Sequence, residues 1–324
     1  MNGKTPQIWV LVALFFIILP FIGMGWGFYA HQQINRLAVF TLPVEMMGFY
    51  KAHIRFLTES ATSPDKRRYV DPDEAPRHYI DLDVYGDSAW YTLPRYWGQA
   101  VASYGEDSLR SYGIVPWHIL TVKNYLTAAM KAQDGERILR HSADLGHYVA
   151  DAHVPLHTTE NYNGQLTGQS GIHGFWESRL PELFLHEYDF FVGKAGYIQN
   201  PQVAVWNAVS GAHLAVDTVL AIEQRVSQEV DGAKKYSIED RMGRTVRVYS
   251  FDFSAAYHRE LNGMVERQMR RAVKLTGDLW YTCWVDAGQP DLEALIAEDP
   301  LDSLLHLPHF LQLFRNHESG EPER

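Results

Sequence analysis

Residues 145–157, LGHYVADAHVPLH, place His147 and Asp151 four residues apart. On an α-helix that interval puts an imidazole and a carboxylate on one face, one above the other. The apolar spacing predicts this helix over 135–153, ending before Pro155, with His157 just past the proline. Residues 172–182, IHGFWESRLPE, repeat the arrangement with His173 and Glu177, and Pro181 predicts a kink or two short helices there. One His-x-x-x-acid pair is ordinarily a surface ion pair. Two such pairs, with a third histidine between them and apolar neighbours, can instead line the inside of a helical bundle with metal ligands. Imidazole and carboxylate donors without a thiolate suit zinc, and suit manganese or iron less well.

Outward from this region the chain reads as helices joined by polar loops. Helical spacing covers 34–56, 114–130 and 203–230, and a long amphipathic helix runs from Ser254, a possible N-cap, to Trp284. Residues 58–77 and 161–171 read as loops, and 245–253 as a short strand. Residues 316–324 are charged and read as a disordered tail. No repeat or linker divides the rest, so one all-α, multi-helix domain over 26–315 is expected, as a monomer. At the N-terminus, 1–7 carries one lysine and no acid, an apolar run covers 8–24, and Gly23 and Gly25 stand at −3 and −1 for a cut before Trp26. Residues 1–25 therefore read as a signal peptide for export to periplasm or medium. The alternative is an uncleaved membrane anchor, since the run is about the minimum length that spans a bilayer.

The 324 residues carry 29 Lys and Arg against 39 Asp and Glu, a formal net charge of −10. That balance gives no electrostatic reason to expect duplex DNA as a partner, although single strands or lipid headgroups can be held through metal ions. Cys283 is the only cysteine, so neither an intrachain disulfide nor a zinc ribbon can form. Histidine is abundant, with fifteen residues.

The succession HxxxD, a histidine six residues on, then HxxxE resembles the zinc-dependent phospholipase C and single-strand nuclease superfamily. Those enzymes are all-helical, exported, and enclose three zinc ions in a helical bundle. The remaining ligand positions are also filled. Trp26 follows the cleavage site, His31 stands five residues on, and His78 in APRHYID is preceded by Asp65 thirteen residues earlier. The resemblance covers roughly 26–182 and weakens beyond it. It implies one zinc on Asp65, His78, His147 and Asp151. A second would sit on His31, the shared Asp151 and the free amine and carbonyl of Trp26, and a third on His157, His173 and Glu177. A carboxylate such as Asp151 can hold two cations about 3.5–4 Å apart, with the water between them as the nucleophile for in-line attack on phosphorus. The implied catalytic residues are Asp65, Arg68 and Asp151. The implied activity is hydrolysis of a phosphoric ester or diester.

Features of both branches are present. Arg68, three residues after Asp65, and the short gap from Trp26 to His31 resemble the nucleases, where the arginine neutralises charge on phosphorus. The plainer reading is that Arg68 belongs to a solvated basic run with Lys66 and Arg67. Tyr79 and Asp81 match positions that stack on and hydrogen-bond a base. Glu177 and the pair Asp81 and Asp83 resemble the phospholipases instead. A phospholipase C-like enzyme is the leading expectation, acting on a lipid headgroup. A single-strand nuclease or 3'-nucleotidase is second, and a non-catalytic exported zinc-binding module third.

Overall fold

The computed structural model describes residues 27–241 and 243–296. Four helices pack on one another at its centre: α1 (Gly27–Ala38), α2 (Val115–Lys131), α3 (Gly135–Asp151) and α7 (Met264–Asp286). Helices α2 and α3 form a hairpin, and Asp134 caps α3 by accepting from Arg137 N at 3.1 Å. Their apolar faces meet around Trp280, Tyr50, Phe49 and Leu145, all fully buried. The fold is all-α as expected.

The close approach of α1 to α3 depends on Gly146. A Cβ there would lie 1.8 Å from Asn35 Oδ1, so only glycine fits against Asn35. Asn35 in turn donates to Leu57 O at 3.2 Å and Ala143 O at 3.0 Å, which pins α1 in place. This contact lies one residue from His147 and four from His31.

Several boundaries differ from the expectations. The helix expected over 34–56 is broken after Thr41, because Pro43 restarts the chain as the N-cap of Val44–Ala52. The stretch expected as a loop over 58–77 carries the end of a helix at Ile54–Glu59 and the short helix Ser63–Arg67. The run over 203–230 is two helices, α4 (Pro201–His213) and α5 (Val216–Glu229), turning at Leu214 and Ala215. Among the described residues this run alone is apolar and long enough to cross a membrane by composition, but Val205, Trp206 and Val209 are buried in the core.

The expected strand is real and has a partner that the sequence did not reveal. Strands β1 (Tyr236–Arg241) and β2 (Arg244–Tyr249) pair antiparallel, Tyr236 opposite Tyr249. Ser250, rather than Ser254, then caps α6 (Phe251–Glu260), accepting from Phe253 N at 3.2 Å. Asn262 and Gly263 adopt positive φ of 49° and 72° and separate α6 from α7, so the single long helix is two. Residues 172–184 stay helical past Pro181, since Phe175–Arg179 widens into a π-turn just before it. The expected signal peptide, Trp26 and the expected charged tail lie outside the described residues.

Candidate metal centre

Eight of the nine expected ligands fall within the described residues, and the fold brings them to one place. Helix α1 supplies His31, the short helix Ser63–Arg67 supplies Asp65, and a single turn ending at Arg77 delivers His78. Helix α3 supplies His147 and Asp151 from its last turns. His157 comes from the turn Pro155–Thr158, His173 from Ile172–Gly174, and Glu177 from the π-turn.

Around Asp151, His78 Nδ1 lies 3.0 Å from Oδ2 and His147 Nε2 lies 3.2 Å from the same oxygen. The two nitrogens are 3.0 Å apart. Asp65 Oδ1 closes the group at 3.6 Å from His78 Nδ1 and 3.7 Å from His147 Nε2. On the other side of the carboxylate, His31 Nε2 sits 3.4 Å from Asp151 Oδ1 and stacks on His147 with ring centroids 4.1 Å apart. The third group is tighter still: His157 Nε2 lies 2.9 Å from His173 Nε2 and 3.0 Å from Glu177 Oε2.

The protonation pattern shows what these groups suit. His147 Nδ1 is 2.8 Å from Ala61 O, and a carbonyl can only accept, so Nδ1 carries the proton and the Nε2 lone pair faces the centre. His157 Nδ1 is likewise held 2.8 Å from His78 O, which turns its Nε2 lone pair toward His173 and Glu177. Asp151 Oδ1 is buried without a hydrogen-bond partner. Lone pairs and carboxylate oxygens that converge at such distances, in a buried place, fit divalent cations. Three sets of ligand atoms meet this condition: His31, Asp65 and His147; His78, His147 and Asp151; and His157, His173 and Glu177.

The electrostatics agree. Burial works against charge on His147, but Asp151 and Asp65 outweigh it and push the imidazole up to about 9. Burial raises Asp151, yet His147 and His157 hold it well below the usual carboxylate range. Glu177 is opposed by burial in the same way and held low by His173 and His157. His31 goes the other way: burial and the neighbouring His147 lower it to about 4, so it presents a neutral ring. The carboxylates thus favour positive charge at His147, while His31 stays a neutral donor.

Arg68 is half-buried one turn beyond Asp65. Its neighbour Arg67 is no solvated charge, since it pairs with Asp144 at 3.0 Å. Tyr79 is buried with its hydroxyl donating to Ser111 O at 3.3 Å, and Asp81 is buried beside it. Asp83 is engaged structurally, accepting from Thr159 Oγ1 at 2.6 Å and from Glu160 N at 3.0 Å. Of the other histidines, His153 bonds back to Val149 O at 2.7 Å, His213 meets Thr158 O at 3.0 Å, and His258 meets Tyr188 Oη at 2.8 Å. These are packing roles.

One buried charge was missed. Glu74 is fully buried behind His78, between Arg67, Arg77 and Tyr148. Burial raises its carboxyl, but His78 and Arg67 hold it far below the usual range. The spacing Glu74-x-x-x-His78 is the signal that could have found it.

No protein-family profile matches the chain. Among curated proteins, Nuclease S1 of Aspergillus oryzae (strain ATCC 42149 / RIB 40) is 23% identical over 187 residues, covering 52% of this chain and 59% of that protein. The superfamily resemblance is borne out. The chain thus spans under two thirds of this relative's length. Among solved structures, the alpha-toxin of Clostridium perfringens from avian strain SWCP aligns with a TM-score of 0.46 at 14% identity, over 82% of this chain and 65% of that one. That likeness is too loose to carry weight.

Proposed function

We propose that this chain is a zinc-dependent phosphoric diester hydrolase holding three zinc ions. The observation that carries the reading is that the His147 lone pair fixed by Ala61 O converges with Asp151 Oδ2, and the His157 lone pair fixed by His78 O converges with Glu177. Bound zinc would supply Lewis acidity toward a phosphoryl oxygen and lower the pKa of a water. Asp65, His78, His147 and Asp151 would hold one ion, His31 with Asp151 and the Trp26 amine and carbonyl a second, and His157, His173 and Glu177 a third. Asp151 offers one oxygen to each side and so fixes the relation of the first two groups. Arg68 would place its planar fork of donors against the charge that gathers on phosphorus. The burial of His31, His78, His147 and Asp151 excludes bulk water, which strengthens each of these interactions.

Single-stranded nucleic acid is the favoured substrate, ahead of the phospholipid headgroup that leads from the sequence. The relative is a nuclease by name, and Asp83, one of the phospholipase-like features, is engaged by the loop at Thr159 and Glu160. Tyr79 and Asp81 remain the proposed base-side residues. The test is a panel of single-stranded RNA and DNA, phosphatidylcholine and a chromogenic phosphodiester, with and without chelator. Chelator-sensitive cleavage of the single strands is expected. Cleavage of phosphatidylcholine alone would reverse the substrate order, and no turnover on any member would favour a non-catalytic zinc module.

The proposed second zinc group also calls for export with cleavage. An amide nitrogen cannot offer zinc a lone pair, so a complete second group requires cleavage before Trp26. N-terminal sequencing of active protein should begin at Trp26. An active enzyme that retains earlier residues would contradict both the cleavage and the amine ligand.

A further inference from the structure

We propose that Glu74 is a positioning residue for His78, fixing its tautomer and ring orientation and thereby the zinc affinity of the group formed by Asp65, His78, His147 and Asp151. The inference rests on the zinc reading of that group. Glu74 has no exposed surface, and an ionised carboxylate there is costly unless paired. Arg77 meets its Oε2 at 2.5 Å, and Arg67 lies 3.4 Å from its Oε1. Two arginines suffice to neutralise one carboxylate. Oε1 is not given to Arg67 alone: it also accepts from the Tyr148 hydroxyl and faces His78 Nε2 at 3.5 Å.

His78 Nε2 is buried with no closer hydrogen-bond partner, while its Nδ1 points at Asp151 and His147. A proton on Nε2 facing Glu74 leaves the Nδ1 lone pair free for the cation, and the nearby negative charge makes that lone pair a better donor. Tyr148 adjoins His147 on α3 and also sets its ring edge-on to His78, with centroids 5.4 Å apart. One helix therefore presents two ligands and aims the group behind a third.

The test uses the full chain as exported, comparing wild type with Glu74→Gln and Tyr148→Phe. Zinc affinities come from competition with a chromophoric chelator, and the His78 tautomer from its ring ¹⁵N shifts. Glu74→Gln should weaken one zinc site about 10–100-fold and leave the others unchanged, since it removes an outer partner of a single ligand. Its His78 shifts should lose the bias toward the Nε2 proton. Tyr148→Phe keeps both ion pairs and loses the hydroxyl that bonds Glu74 and Arg67, so it should show a smaller change in the same site. It carries the test if Glu74→Gln does not fold. Wild-type affinities and His78 shifts in the folded variants would overturn the inference while the zinc reading stands. A wild-type protein that takes up no zinc would overturn both.

Discussion

The two halves of the metal centre are built differently. Around Asp151, the ligands His31, His78, His147 and Asp151 are nearly without solvent contact, and two of them are held from behind: His147 by Ala61 O, His78 by Glu74. Around Glu177 the ligands come from a turn, a three-residue helix and a π-turn, and His173 and Glu177 are only partly buried. That half is braced from outside. Phe175 stacks on Tyr249 with centroids 3.8 Å apart, and Arg179 reaches across to Glu239 of the hairpin at 2.5 Å. The buried half is preformed by packing, whereas the outer half borrows its rigidity from the β1–β2 hairpin. The proposed function, with two inner ions gripped and an ester admitted beside the third, suits that division.

The largest effect should come from breaking the element that both inner groups share. Asp151→Asn should lower turnover by about 10³-fold or more, because several kcal/mol of metal-based stabilisation are lost. Zinc retained per chain should fall to the outer ion alone. Full zinc content in that variant would show that Asp151 is no bridge. Next in size, Glu177→Ala should remove only the outer ion and cost about 10²-fold in turnover, the scale of losing one group that stabilises developing charge. Zinc loss from the inner groups as well would mean that the halves are not independent.

Smaller effects test the bracing. Arg179→Met should destabilise the fold by about 2 kcal/mol, since it leaves Glu182 and Glu239 with fewer partners, and should weaken the outer zinc before the inner ones. Chemical denaturation and zinc competition measure the two parts separately. Unchanged outer affinity would remove the hairpin from the account. The effect that is smallest near neutral pH concerns acid. Burial, and then Arg77, lowers His118 to about 3, from an ordinary value of 6.5. The unfolded chain thus binds the extra proton first, and stability should fall as pH drops from 6.5 toward 3, by at most about 1.4 kcal/mol per pH unit from this group. His118 sets its ring edge-on to Tyr148, beside the buried half. Replacing it with Gln should flatten that limb of the stability profile, read from denaturation midpoints at several pH values.

The inner half was largely legible in the sequence, because helical spacing ties His147 to Asp151 without tertiary knowledge. Asp65, His78 and His31 were placed only through the family pattern; nothing local says that a residue in a polar stretch after Ser63 meets one at the end of α3. Glu74 was overlooked because an acid among Asp71, Asp73 and Arg77 reads as solvated surface, and only the fold shows it buried. The outer half was legible as a motif but not as a structure. The π-turn before Pro181 and the β1 strand have weak local signals, and pairing across 236–249 depends on a turn rather than on apolar alternation. The break at Asn262 and Gly263 hid inside an otherwise continuous amphipathic pattern.

The most direct test is a crystal structure of the exported protein with data collected on both sides of the zinc absorption edge. Three anomalous peaks are predicted. Two should flank Asp151, one beside His78 and His147 and one beside His31 with the amine of Trp26, and the third should lie among His157, His173 and Glu177. A zinc-replete crystal with no peak at Asp151, or with its histidines hydrogen-bonded to water alone, would contradict the account.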